Sequence, residues 1–375
     1  MFRLSAFALL LALGPLYAAA LAAQTPHWKQ QYFYDNNQDD LAINDLKFSS
    51  AQRGIAIGFL ADRENKGKPK PVTLVTSDGG THWTMIPGKE IGLSLFLLDD
   101  SVGWMATPKA IWQTVEGGRT WTKLKELKDI RQLYFLNREH GFAIGDAKSV
   151  YQTEDGGKTW TEVEAAKKPK SNPEYTSYNT IDFADAKNGI IAGGSYPPRR
   201  DNPVPDWLDP AHTQRQREWP TLSILLETRD GGKTWSPSTA PLLGRVARLC
   251  LSPDGWGLSL FAFEYAFEWP SEVYAINMKD GKSVVSFHAK DRVVTDIALL
   301  PGKNAFIAAI EPPGKAPNLP IPGKVKMLRT EDLKKWQEMD VDYRAVATRV
   351  ILAPVDLQHV WAATDTGMIL QMVTQ

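Results

Sequence analysis

Thr153-Glu-Asp-Gly-Gly-Lys-Thr-Trp160 is the stretch on which the reading of this chain turns. Variants of it recur as Thr76-Ser-Asp-Gly-Gly-Thr-His-Trp83, Thr114-Val-Glu-Gly-Gly-Arg-Thr-Trp121 and Thr228-Arg-Asp-Gly-Gly-Lys-Thr-Trp235. A fifth, Thr330-Glu-Asp-Leu-Lys-Lys-Trp336, is shortened and glycine-free. A phrase repeated at near-constant spacing implies an array of like structural units. The paired glycines suit a tight hairpin turn that needs positive φ. The carboxylate can accept backbone N–H bonds within that turn, and the tryptophan just inside the next strand buries a large aromatic surface. Glu116 in place of Asp, and the missing glycines beside Asp332, predict two looser turns.

Between the phrases runs a second pattern, in which an alternating apolar stretch leads through a polar turn into a short Gly-apolar strand. Leu46 to Gly58, Leu133 to Gly145 and Ile181 to Gly193 carry it clearly, and weaker versions begin near Leu95, Leu249, Ile297 and Val350. That makes seven units, two of them without the tryptophan phrase. Period-two alternation separated by turn residues predicts antiparallel strands, with no sustained helical period after residue 24. Four such strands per unit, arranged radially, give an all-β, seven-bladed propeller. The chain ends on Gly367-Met-Ile-Leu-Gln-Met without a fourth strand, whereas His27-Trp28-Lys-Gln-Gln-Tyr-Phe33 reads as a fourth strand lacking its first three. Pairing the two closes the ring.

Residues 1–22 have the plan of a secretory signal peptide: Arg3, an apolar centre at Leu9 to Leu13, and small residues at Ala20-Leu-Ala22. The apolar run is too short for a membrane anchor, so residues 23–375 are expected as one exported propeller, periplasmic or secreted, with no membrane insertion after cleavage. Lys and Arg total 43 against 43 Asp and Glu, and the signal removes only Arg3. Near-neutrality gives no electrostatic reason to expect a nucleic-acid partner. The single cysteine, Cys250, cannot form an internal disulfide and reads as a buried, inert thiol. The six histidines show no metal spacing, and neither a Gly-rich phosphate loop nor a Gly-x-Ser-x-Gly elbow is present. No cofactor or metal is expected.

The phrase resembles the Asp-box (BNR) repeat of β-propellers. Gly141 to Trp160 in particular is similar to the photosystem II stability/assembly factor-like family, whose members are exported seven-bladed propellers acting as non-catalytic assembly or scaffolding factors. The resemblance implies that the boxes lie on the face opposite the ligand site, which makes Asp78, Trp83, Glu116, Trp121, Asp155, Trp160, Asp230, Trp235, Asp332 and Trp336 scaffold. Sialidases share the propeller and use an arginine triad, but the Arg-Ile-Pro motif of that family is absent here.

Blade connectivity places the loops between second and third strands on the face away from the boxes. The long insertions, Phe59 to Pro71, Ser195 to Pro220, Phe261 to Ser271 and Glu311 to Lys324, all fall in those loops. Loop length concentrated on one face of a rigid scaffold predicts a binding surface. Its candidate residues are Arg199, Arg200, Trp207, Arg215, Arg217 and Trp219 on the longest insertion, with Tyr265 and Trp269 on the neighbouring blade, because aromatic and Arg side chains anchor interfaces. Near the upper ends of the innermost strands, Asp45, Ser94, Arg131, Asn179, Arg248, Asp296 and Arg349 are expected to ring the channel mouth. Arg131, Arg248 and Arg349 are the binding candidates among them. The functional expectation is a protein-binding scaffold using this face. The alternative is a glycoside hydrolase or carbohydrate-binding propeller, for which Asp45 and Asp296 are candidate facing carboxylates.

Overall fold

Alternating apolar residues assemble into seven antiparallel sheets, and the computed structural model describes residues 25–36, 38–63, 67–198, 218–264, 267–311 and 322–374. Residues 1–22, and with them the signal-peptide expectation, lie outside the described residues. Blade 1 comprises Asp39–Phe48, Gly54–Asp62, Lys70–Thr76 and Thr84–Pro87; blade 2 comprises Ser94–Leu97, Gly103–Ala106, Ala110–Thr114 and Thr122–Glu126. Blade 3 comprises Ile130–Phe135, Gly141–Gly145, Val150–Thr153 and Thr161–Glu162; blade 4 comprises Thr176–Phe183, Gly189–Ser195, Pro220–Thr228 and Ser236–Leu243. Blade 5 comprises Arg245–Leu251, Trp256–Ala262, Ser271–Asn277 and Lys282–His288; blade 6 comprises Val293–Leu300, Asn304–Ile310, Gly323–Thr330 and Gln337–Met339. Within each blade the strands pair in chain order, and the first strand is innermost.

Blade 7 is shared between the two ends of the chain. Val350–Pro354, Val360–Thr364 and Met368–Val373 accept His27–Phe33 as their fourth strand, with His27 opposite Val373 and Phe33 opposite Met368. Trp28 of that strand is 1% exposed. Its N–H donates to the Asp340 carbonyl at 2.7 Å, and its own carbonyl accepts from Asp342 N–H at 3.0 Å, so the clasp also grips blade 6. The N-terminal strand thus gives blade 7 the four strands that the other blades have.

This meander puts the first-to-second and third-to-fourth turns on one face. Hydrogen bonds confirm the placement: Gly79, Gly117, Gly156 and Gly231 each donate N–H to a carbonyl of their own blade's first turn, at 2.8–3.0 Å. The second-to-third connections and the blade-to-blade links emerge on the opposite face. Three of those connections are short, whereas Asp62 to Lys70, Ser195 to Pro220, Ala262 to Ser271 and Ile310 to Gly323 are long. The predicted insertions are partly strand rather than loop. Phe59 pairs with Ala42 and Pro71, because the ten-residue inner strand of blade 1 extends the ladder beyond its neighbours' length.

Each box is held by its own side chains. The opening threonine hydroxyl accepts from the second glycine's N–H at 2.8–2.9 Å in all four full-length copies. Asp78, Asp155 and Asp230 accept the N–H four residues on at 2.8–2.9 Å. The glycines sit at positive φ, for example +75° and +95° at Gly156 and Gly157, where a Cβ is strained. Glu116 accepts the Thr120 hydroxyl at 2.7 Å in place of the backbone bond its Asp counterparts make. The turn at Asp332 departs from the expected looseness. Asp332 accepts N–H groups of both Lys334 and Lys335 at 2.8 Å, and Leu333 takes the positive φ (+61°) while burying its side chain.

Aromatic rings fill three of the boundaries between successive blades. Trp361 of blade 7 stacks on Phe48 of blade 1 at 3.7 Å, and Trp83 meets Phe48 edge-on. Trp104 repeats this on Phe135 and Trp160, and Phe142 on Phe183 and Trp235. Trp104 and Trp361 also donate their indole N–H to the box carbonyls of Gly156 and Gly79. A buried ring pair adds about 0.5–1.5 kcal/mol beyond its area. The box tryptophans are therefore mortar between blades.

Candidate functional site

The innermost strands converge on the axis, and five of them carry a bulge at matching positions. Pairing with the second strand skips Asn44, Arg131, Asn179, Ala247 and Thr295. A bulged residue breaks the two-residue alternation and re-aims side chains. In blades 1, 3 and 4 the residue opposite is Gly58, Gly145 or Gly193, where a Cβ would stand 1.8–2.1 Å from the carbonyl oxygen of the strand across. In those three blades the second glycine makes room for that carbonyl, whereas blades 5 and 6 carry the same bulge opposite Phe261 and Ala309.

These residues bound a cavity of about 180 Å³ inside the channel, lined mainly by the middle of the inner strands. All seven predicted ring residues, Asp45, Ser94, Arg131, Asn179, Arg248, Asp296 and Arg349, line it, one from each blade. Lys47, Asn44, Gln132 and Thr295 also line it and were not picked out by the sequence reading.

The carboxylates of this ring are structural. Asp45 accepts N–H from Leu46 at 2.9 Å and from Leu95 of the next blade at 2.8 Å, with Lys47 Nζ at 2.9 Å. Asp296 repeats the arrangement with Ile297 and with Leu352 of blade 7. Asp182 does so with Phe183 and with Leu251 of blade 5, while Gln132 exchanges bonds with Ile181 of blade 4. A side chain of one inner strand therefore latches the backbone of the next. Burial raises the Asp182 carboxyl to about 6, against the lowering pull of the Leu251 N–H and the Arg248 charge.

The cations are less consumed. Arg349 is exposed and donates to the Asn44 carbonyl at 2.8 Å, and Arg131 pairs with Asp146 at 2.6 Å with both partners half exposed. Arg248 lies 3.4 Å from Asp296 without hydrogen-bond alignment at its Nε. Burial works against its charge, yet Asp296, Asp182 and Asp45 hold its pKa above the ordinary value. Lys47, Arg131, Arg248 and Arg349 face Asp45 and Asp296, so the lining carries a net positive charge.

The peripheral candidates fall elsewhere. Trp219 is 52% exposed and lines a hollow of about 150 Å³ with Tyr196, Arg245 and Glu264, on the face of the long connections at the boundary of blades 4 and 5. Trp269 stacks on His288 at 3.8 Å, with its indole nitrogen buried and without a partner. Neither joins the arginines at the channel. Arg199, Arg200, Trp207, Arg215, Arg217 and Tyr265 lie outside the described residues. Cys250 is buried, donates to the Ile297 carbonyl at 3.3 Å, and is pushed up to about 12 by burial. Among the described residues no group of three or more His, Cys, Asp or Glu is placed to hold a metal, and no helix is long and apolar enough to cross a membrane.

Fold and turn chemistry together define an Asp-box (BNR) β-propeller. Within that class the chain is similar to the family described as photosynthesis system II assembly factor YCF48, whose model matches residues 123–196. Among solved structures, YCF48 bound to D1 peptide superposes with a TM-score of 0.59 at 15% identity, covering 95% of this chain and 97% of that one. YCF48 from Cyanidioschyzon merolae gives 0.56 at 13% identity, covering 92% and 98%. The WD40 propeller domain of Doa1 gives 0.55 at 8% identity, covering 93% and 97%. No curated protein matches the sequence.

Proposed function

We propose that this chain is an exported, non-catalytic scaffold or assembly factor that binds a protein partner through the face opposite its Asp boxes. One observation carries the reading: four cations against two carboxylates line the central channel, which the face bearing the long connections surrounds. A rigid ring that presents excess positive charge beside long loops suits an acidic or carboxylate-terminated segment of a partner. The similarity to YCF48, one structure of which is bound to D1 peptide, supports a peptide-binding role. Export rests on the signal-like composition of residues 1–22.

The carbohydrate-acting alternative draws no support from the same geometry. Asp45 and Asp296, its candidate carboxylates, already hold the backbone of two blades. The test is capture from a cell-envelope extract on immobilised protein, comparing wild type with Arg131→Glu/Arg349→Glu and with a deletion of residues 197–219. Both variants are expected to keep the wild-type melting temperature and to retain about tenfold less partner, with the residue salt-sensitive. Equal capture by all three proteins overturns the proposal.

A further inference from the structure

The boundary between blades 4 and 5 lacks the box tryptophan that Trp83, Trp121, Trp160 and Trp235 supply to the boundaries before it. Blade 5 turns from its third to its fourth strand through Met278 to Gly281, with no box and no tryptophan. Ile190 stands where Phe142 stands one blade earlier, and Leu251 where Phe183 stands. What remains is a cleft of about 740 Å³ that reaches from Leu249 on the inner strand to Leu243 and Phe267 at the rim.

We propose that this cleft binds a small lipophilic molecule carrying one hydrogen-bond-donor head group, a hydroxyl or a protonated amine. Its volume lies within the range of ligand pockets, roughly 300–1,000 Å³, and its walls follow their pattern of apolar surface with few polar groups. Leu225, Leu249, Phe261 and Ile276 supply that surface. One polar group on the wall points to the head. Glu272 is only 6% exposed; its Oε2 accepts the Tyr274 hydroxyl at 2.6 Å, and its Oε1 lies 3.2 Å from His288 Nδ1. A carboxylate with one bond to each oxygen keeps acceptor capacity for another donor. Ser223 is 3% exposed, and its hydroxyl is buried without a partner. Its oxygen sits behind the cleft wall, so Glu272 is the group that a donor head reaches.

The same wall argues against other occupants. Among the described residues Glu272 is the sole charged one lining the cleft, so an anionic head meets repulsion there. A peptide adding to the outer strand Ser236–Leu243 would meet Pro237 and Pro241, which remove backbone donors from that edge. The proposal stands apart from partner capture at the central channel, and each fails independently of the other.

The test uses N-phenyl-1-naphthylamine, a neutral amine that brightens in apolar surroundings, titrated into the full-length protein. Saturable binding of one dye per chain is expected, with 1-dodecanol and dodecylamine displacing it at about tenfold lower concentration than dodecanoate. Leu225→Trp and Ala192→Leu each fill part of the cleft and should weaken the dye about tenfold, with folding checked by circular dichroism; the variant that folds decides. Glu272→Gln should erase the preference for dodecylamine over dodecanoate. Absence of saturable binding to wild type, equal competition by dodecanoate, or unchanged affinity in a folded cleft-filling variant overturns the proposal.

Discussion

Blades 3 and 4 meet through Phe142, Phe183 and Trp235, whose rings lie 5.5–6.0 Å apart, whereas blades 4 and 5 meet through Ile190, Leu249 and Leu251, with aliphatic side chains where those rings stand. The two boundaries share backbone pairing, the bulged inner strand and a side-chain latch to the next blade. They differ in the box phrase, which blade 4 has and blade 5 lacks. Blade spacing is therefore set by the ring of backbone and latches. The tryptophan phrase decides only whether the space between blades is solid or hollow.

The largest expected effect tests that separation directly. Phe142→Ala removes a fully buried ring that touches two others, and should cost about 3–5 kcal/mol in urea unfolding. Leu249→Ala, at a boundary already open to a cleft, leaves no new enclosed cavity and should cost about 2 kcal/mol or less. Equal costs at the two sites break the comparison.

Next in size comes the latch at the open boundary. The folded-state pKa of Asp182, about 6, lies above its ordinary 3.8, so the folded protein holds this proton more tightly than the unfolded chain. The resulting stabilisation is fully present below pH 3.8 and is lost as pH rises through 6. Box carboxylates have the opposite sign. The hydroxyl and N–H of Thr159 hold Asp155 near 2, and those of Thr234 do the same for Asp230. Their stabilisation is complete above pH 3.8 and falls away toward pH 2, outside the window of Asp182. Between pH 4 and 6, wild type should therefore lose stability relative to Asp182→Asn, by no more than about 3 kcal/mol for a shift of about two pKa units. Urea midpoints for both proteins at pH 4, 5, 6 and 7 measure this, and parallel curves refute it.

The contrast also marks what a sequence shows. Turn phrases, strand count and the terminal clasp were legible because each rests on local chemistry: glycine at positive φ, period-two alternation, a strand missing from one end and present at the other. The channel ring was legible for a related reason, since residues at one register of repeated strands must meet at the axis. Bulges were not, because a one-residue slip at Asn44 or Thr295 leaves the apolar pattern on either side intact. In blades 1, 3 and 4 the second glycine, as in Gly141-Phe-Ala-Ile-Gly145, marks the slip through a clash that exists in three dimensions alone, and blades 5 and 6 carry no such mark. The role of Asp45 and Asp296 was hidden likewise, because their acceptor bonds reach the backbone of the following blade, about fifty residues on. Nor did the sequence announce the cleft, which arises from the absence of rings supplied by three separate segments.

The smallest effect concerns the turn that carries the mortar. Glu116 is one methylene longer than its Asp counterparts and accepts the Thr120 hydroxyl, where Asp155 accepts both the hydroxyl and the N–H of Thr159. Glu116→Asp should regain the backbone bond and raise the urea midpoint by the equivalent of about 0.5–1 kcal/mol, and Asp155→Glu should lose a similar amount. Gains and losses of matching size mean that the carboxylate holds the turn, and through it the tryptophan that begins the next strand. If neither substitution moves the midpoint, glycine and threonine suffice to form the turn. The absence of a box in blade 5 would then matter only through its missing ring.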